Sequence, residues 1–142
     1  MALGQSLTTT FKYNLLRGLE NFDTGSIYTY KIALYDAVAP LDSSTTAYTT
    51  LNEITGAGYT TGGKVLTPTG LNFDASNNTA YVSFINVTWS PASFTAAGAL
   101  IYNSATNASV CVLNFGGAKT ATTTFTVEFP TATSTTAVIR IN

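Results

Sequence analysis

Histidine is absent from this sequence, and cysteine occurs once, at Cys111. Most zinc centres need several Cys or His ligands and are therefore excluded, as is every catalytic triad that depends on histidine. Cys111 stands in the apolar run Val110-Cys111-Val112-Leu113, so we expect a buried thiol. A single cysteine cannot form a disulfide within the chain. The sequence predicts neither a metal site nor a cofactor.

Charged residues are also scarce, with six basic and seven acidic side chains among 142 residues. The basic residues are scattered singly and cannot form a stripe that neutralises phosphates, so we expect no direct nucleic-acid partner. The apolar runs span about six residues at most, far short of the roughly 20 needed to cross a bilayer, so no membrane partner is expected. Residues 1–5 show no basic segment followed by an apolar run, which predicts synthesis in the cytoplasm without secretion.

Threonine is unusually abundant, with 27 copies beside 11 serines. Because threonine is β-branched, one interpretation is that it simply satisfies β-propensity. A second interpretation is functional: a surface with few charges loses little hydration when another subunit covers it. Sheet edges without charged residues invite pairing with other chains, so under this interpretation something covers them.

The only helical pattern lies near the start of the chain. Leu7, Phe11, Leu15 and Leu19 recur every four residues, and Leu16 widens this apolar stripe. The pattern predicts an amphipathic helix of about three turns within residues 7–21. Consecutive threonines near its start disfavour an isolated helix, so its stability should come from docking the apolar face on a sheet.

From residue 27 onward the apolar period changes from 3.6 to 2, which is typical of strands. Strands are expected over 28–35, 65–73 with a break at Pro68, 79–89, 94–102, 110–115, 122–129 and 137–141. Residues 45–54 fit either a strand or an irregular turn. Turns are expected at 23–25, 74–78, 103–107, 116–119 and 130–135.

These elements predict a mainly β fold, an antiparallel β-sandwich or jelly roll of about seven or eight strands with one N-terminal amphipathic helix. No helix-length segment is present to connect parallel strands. We expect a single domain over residues 1–142, with an arm and helix in 1–22 and a β body in 27–142.

One motif points to catalysis. Asp23-Thr24-Gly25-Ser26 matches the tetrapeptide of aspartic proteases, which need two carboxylates about 3 Å apart, so this chain would have to act as a dimer. In those enzymes the motif follows an apolar strand, whereas here it follows a predicted helix. A turn that ends the helix is the favoured interpretation, with the protease hypothesis kept as an alternative.

Ten short segments follow one another along the chain: residues 11–18, 31–35, 44–48, 52–63, 80–82, 87–90, 98–103, 112–116, 125–130 and 137–141. In their number and order they resemble small virion proteins of tailed bacteriophages, described as head decoration, cement or structural proteins. No single segment is specific to that family. The family often has Asp in place of Asn114 and Arg in place of Ala97, so contacts that depend on those charges are not carried over.

The resemblance implies a structural virion protein without enzymatic activity, made in the host cytoplasm and bound to the outer face of the capsid. Its expected partners are the major capsid protein and further copies of itself, as a homotrimer or homodimer. Candidate contacts are Phe11, Leu15, Leu19, Tyr48 and Tyr59. Residues 1–10 and the helix are the first candidate for a capsid-facing arm; alternatively, the helix closes one end of the sandwich. A tail or fibre component is the alternative function.

Overall fold

A computed structural model describes residues 3–142 as a mainly β protein with one short helix, which confirms the predicted fold class. The elements are β1 (Ser6–Leu7), α1 (Thr9–Leu16), β2 (Tyr30–Tyr35), β3 (Lys64–Leu66), β4 (Pro68–Asp74), β5 (Thr79–Phe84), β6 (Val87–Trp89), β7 (Phe94–Asn103), β8 (Ser109–Ala121), β9 (Phe125–Val127) and β10 (Ile139–Ile141). This part of the chain has ten strands rather than seven or eight, because two predicted strands are each split in two and β1, which pairs with β8, was not predicted.

The strands form three antiparallel sheets. One has five strands in the order β1-β8-β7-β2-β3, another has the order β10-β5-β4, and the third pairs β6 with β9. Tyr30, Ile32 and Leu34 of β2 face a hydrophobic core. The two smaller sheets contribute residues to the same core from the other side, so the sheets form a sandwich. Ala33 and Tyr35 face the opposite way, into a second core.

The second core explains why β2 and β7 are buried on both faces. Loop residues Ala39 and Leu41, together with Leu3 from the N-terminal segment, cover the outer face of the five-stranded sheet. A sheet covered on both sides has strands that are apolar almost throughout, as the run Ala99-Leu100-Ile101-Tyr102 of β7 is.

The helix α1 has about two turns instead of the predicted three. It begins after Thr8, whose hydroxyl accepts a hydrogen bond from Phe11 N at 3.2 Å. It ends because Gly18 adopts a φ of +70° and allows Leu19 N to donate to Asn14 O at 2.9 Å. Leu19 therefore lies beyond the helix, and Leu16, predicted in the buried stripe, is 89% exposed.

The turn predicted at residues 116–119 is wrong, since these residues lie inside β8. Gly116 and Gly117 have φ values of +77° and +138°, and the register of β8 against β7 shifts across them. The glycines therefore make an irregularity within a continuing strand. Residues 45–54 form an irregular segment with isolated bridges at Ala47 and Glu53.

Candidate functional site

A groove of about 1010 Å³ lies between β8, β9 and β10. Much of its lining is apolar or hydroxyl-bearing and includes Leu113, Phe115, Phe125, Phe129, Thr124 and Thr136. Lys119, Glu128 and Arg140 are also part of the lining and bring charges of both signs. The chemistry of this groove suits a largely uncharged polypeptide segment.

One wall of the groove is an open strand edge. Among the described residues, β9 pairs with β6 alone, with Thr126 opposite Thr88, so the other edge of β9 has no partner strand. Thr126 also lines the groove. Such an edge can accept an added strand from another chain.

Tyr48 and Tyr59, two of the predicted contact residues, meet at one carboxylate. The Tyr48 hydroxyl donates to Glu53 Oε2 and the Tyr59 hydroxyl to Glu53 Oε1, each at 2.6 Å. Gly62 N donates to the same Oε1 at 2.7 Å. Burial, and next to it the neighbouring carboxylate, raise the pKa of both phenols. We name Tyr48, Glu53 and Tyr59 the tyrosine clamp.

The tyrosine clamp fixes the irregular segment against the five-stranded sheet. Tyr59 Oη accepts a hydrogen bond from Leu34 N at 2.9 Å. The Tyr48 ring stacks on the Tyr102 ring, with the ring centroids 4.6 Å apart. The hydrogen bonds of the tyrosine clamp therefore join residues of this chain to one another. Sequence analysis missed Glu53 because the acidic residues are dispersed along the chain; the available signal was its position between two tyrosines, five and six residues away.

The other predicted contacts lie in or near the core. Phe11 is completely buried, so the folded domain does not offer it to a partner, and its prediction as a surface contact is wrong. Leu15 is half-buried against the same core, and Leu19 is also half-buried. The structure does not bring these three side chains together with the tyrosine clamp.

The described part of the N-terminal arm is docked on the body. Leu3 is buried in the second core, and β1 pairs with β8. Residues 1–2 of the predicted arm lie outside the described residues. Because Phe11 belongs to the core between the sheets and its ring lies 5.9 Å from that of Phe22, this arrangement favours the alternative that the helix closes one end of the sandwich.

The protease-like tetrapeptide forms the predicted turn. Asp23 is exposed, its Oδ1 accepts from Thr24 N at 2.9 Å, and its carbonyl oxygen accepts from Ser26 N at 3.1 Å. Asp23 follows an irregular segment after α1, not a strand.

The turn predicted at residues 74–78 is confirmed, and the side chain of Asp74 stabilises it. Asp74 Oδ1 accepts from Ser76 N at 3.0 Å and from Ser76 Oγ at 2.6 Å, and its Oδ2 accepts from Ser134 Oγ at 2.8 Å. These hydrogen bonds lower the pKa of Asp74 to about 2. Within residues 3–142, no group of three or more His, Cys, Asp or Glu side chains is arranged to hold a metal ion.

No helix of the described chain has the length and apolar character needed to span a bilayer. Comparisons with protein-family models, with curated proteins and with solved structures each found no match to the chain.

Proposed function

We propose that this protein is a capsid decoration protein of a tailed bacteriophage, which binds the outer surface of the head and stabilises it against internal DNA pressure. The observation that carries the proposal is a mainly β fold with very few charged side chains. The sequence has six basic and seven acidic side chains among 142 residues. Such a surface can be covered by neighbouring subunits at little desolvation cost. The resemblance to phage head proteins supports the same function.

The stabilisation works by mass action. A protein that binds the assembled lattice, and not its dissociated subunits, lowers the free energy of the assembled state. Many equivalent copies add avidity even where each contact is weak. A homotrimer or homodimer matches the symmetry of capsid junctions and closes without growing into a fibre.

The groove beside β9 is where we place the contact with a neighbouring subunit. Among the described residues, one edge of β9 has no partner strand, and Thr126 of β9 lines the groove together with Phe115 and Phe125, whose rings lie 6.1 Å apart. An extended, largely uncharged segment of the major capsid protein could add as a strand to β9 and bury its alternate side chains in the groove.

The test uses virions from which the protein has been stripped. Purified protein should rebind them and raise their disruption temperature. Quantification per particle by mass spectrometry should give a copy number that matches repeated capsid positions. A few copies per particle would instead identify a tail or fibre component, and no rebinding to stripped heads would contradict decoration.

A matched pair of variants tests the groove. Thr124 lies in the groove lining and Thr60 lies in a turn outside it; both are exposed. Thr124→Lys should weaken rebinding because it places a charge where an uncharged segment docks, whereas Thr60→Lys should rebind normally. Equal rebinding of the two variants would exclude the groove as the contact while leaving decoration itself standing.

A further inference from the structure

A buried carboxyl group lies where the chain returns from α1 to the β body. Glu20 is only 8% exposed. Its Oε2 accepts from the Tyr30 hydroxyl at 2.8 Å and from Asn103 Nδ2 at 3.1 Å. Its Oε1 is buried without a hydrogen-bond partner among the described residues. Glu20 is therefore a half-satisfied acid inside the fold.

The groups facing Glu20 carry no charge at neutral pH. Asn14 of α1, Tyr30 of β2 and Asn103 of β7 surround the carboxyl group. Tyr28, which precedes β2, is close enough to Tyr30 to make a small contribution to the raised pKa of its phenol. Arg17, three residues from Glu20 in the chain, has its guanidinium 5.0 Å from the centre of the exposed Tyr13 ring.

An ionised Glu20 would thus be a buried anion that lacks a positive partner in its hydrogen bonds, which is costly. Burial raises the pKa of the Glu20 carboxyl above its ordinary value, and the hydrogen bonds from Tyr30 and Asn103 offset only part of that effect.

The contacts around Glu20 attach residues 17–22 to the β body. Asn21 N donates to Tyr30 Oη at 3.0 Å, and Asn103 Nδ2 reaches Leu19 O at 3.5 Å. The Phe22 ring stacks on the Tyr30 ring with centroids 4.4 Å apart. Tyr30 and Asn103 thus hold both Glu20 and its chain neighbours, so a change of charge on Glu20 acts directly on this attachment.

We propose that Glu20 is a proton-controlled latch: the neutral acid holds residues 17–22 against β2 and β7, and the ionised carboxylate loosens them. On opening, the proton passes to solvent and water hydrates the carboxylate. Because the native state holds the proton more tightly than the open state, the attachment is strongest below the ordinary carboxyl pKa. It weakens as the pH rises through the native pKa.

Hydrogen exchange measured by mass spectrometry tests the latch on the full chain. After correction for intrinsic exchange, opening of residues 17–22 relative to β7 should increase between about pH 4 and pH 8, by about tenfold for each unit by which the native pKa is raised. In Glu20→Gln, which keeps the shape but cannot ionise, this relative opening should not change with pH. The relative opening of residues 17–22 in Glu20→Gln should be equal to or smaller than that of the wild type at about pH 8.

Glu53→Gln is the matched control, because Glu53 is a carboxylate that receives three donors. It should leave the pH dependence of residues 17–22 intact. The wild-type measurement alone decides the question if Glu20→Gln fails to fold. Opening of residues 17–22 that is independent of pH in the wild type, or that persists as pH-dependent in Glu20→Gln, would overturn the proposal.

Discussion

The two glutamates of this fold that make tyrosine hydrogen bonds have different surroundings. Glu53 receives two tyrosine hydroxyls and a backbone N–H, so both of its oxygens are used. Glu20 receives one hydroxyl and one amide, both on the same oxygen. In Glu20 the pKa of the carboxyl group is raised because burial outweighs these two hydrogen bonds, which by themselves favour the charged form. The same residue type thus fixes a loop in one place and is half-satisfied inside the fold in another.

Asp74 should control stability at acidic pH. Its pKa is lowered to about 2 by hydrogen bonds to the folded state, so its contribution is present above the ordinary carboxyl pKa and is lost as the pH falls toward 2. Asp74→Asn should therefore reduce the melting temperature at neutral pH and flatten its decline on acidification, as measured by thermal unfolding. Asp23→Asn, also at an exposed turn, is the control. An unchanged acid limb in Asp74→Asn would contradict this assignment.

Gly63 should tolerate no side chain. Its φ is +75°, and an added Cβ would collide with the carbonyl oxygen of Ile32 in β2. Gly63→Ala should lower the free energy of unfolding by about 3 kcal/mol or more, because both the backbone and the neighbouring strand must move. Gly116, with φ +77° and open space around it, is the control: Gly116→Ala should cost only about 1 kcal/mol. Chemical denaturation measures both, and equal losses would mean that β2 yields to the new side chain.

At the scale of elements, α1 shows how a short helix is stabilised by its surroundings. Two turns are marginal in water, and here the helix is held by the Thr8 cap, the Gly18 termination and the buried Phe11 ring. The hydroxyl oxygens of Thr8 and Ser109 lie 2.9 Å apart, which connects the start of the helix to β8. The helix is therefore part of the folded body.

Adjacent leucines of α1 should respond differently to truncation. Leu15 is half-buried against the core and Leu16 is 89% exposed. Leu15→Ala should lower the free energy of unfolding by about 2 kcal/mol, and Leu16→Ala should change it by less than about 0.5 kcal/mol. Denaturant titration measures both. If Leu15→Ala leaves stability intact but reduces rebinding to stripped virions, the helix is a docking arm.

At the scale of the whole molecule, the scarcity of charge has a measurable consequence for assembly. Association driven by uncharged surfaces is insensitive to ionic strength, whereas exposed charge pairs are screened within about 10 Å at 0.1 M salt. Rebinding to stripped virions should therefore change little between about 0.05 and 0.5 M salt. A sedimentation assay measures this, and a steep loss of binding with salt would show that the few charged residues, such as Lys119 and Arg140, carry the contact.

The sequence by itself determined most of the strand segments, although it missed β1 and predicted a turn at 116–119 inside β8. In β2 the alternation of Ile32 and Leu34 with Ala33 and Tyr35 is a local property of a strand, so it can be recognised without knowing any neighbour. The same is true of the turn at Asp23 and of the buried thiol of Cys111, whose pKa burial raises to about 12. The apolar stripe of the predicted helix likewise indicated that Phe11 packs against the body, where it is completely buried. That both faces of β2 are buried was decided by the segments that cover them.

Only the tertiary structure decided which distant residues meet. Thr8 contacts Ser109 across 101 positions, and Glu20 contacts Asn103 across 83. Periodicity carries no information about such pairs, because it reports the environment of one segment and not the register between two. Whether Gly116 bends a turn or interrupts a continuing strand likewise depends on the partner strand β7. The groove beside β9, the tyrosine clamp and the Glu20 latch all arise from this long-range pairing.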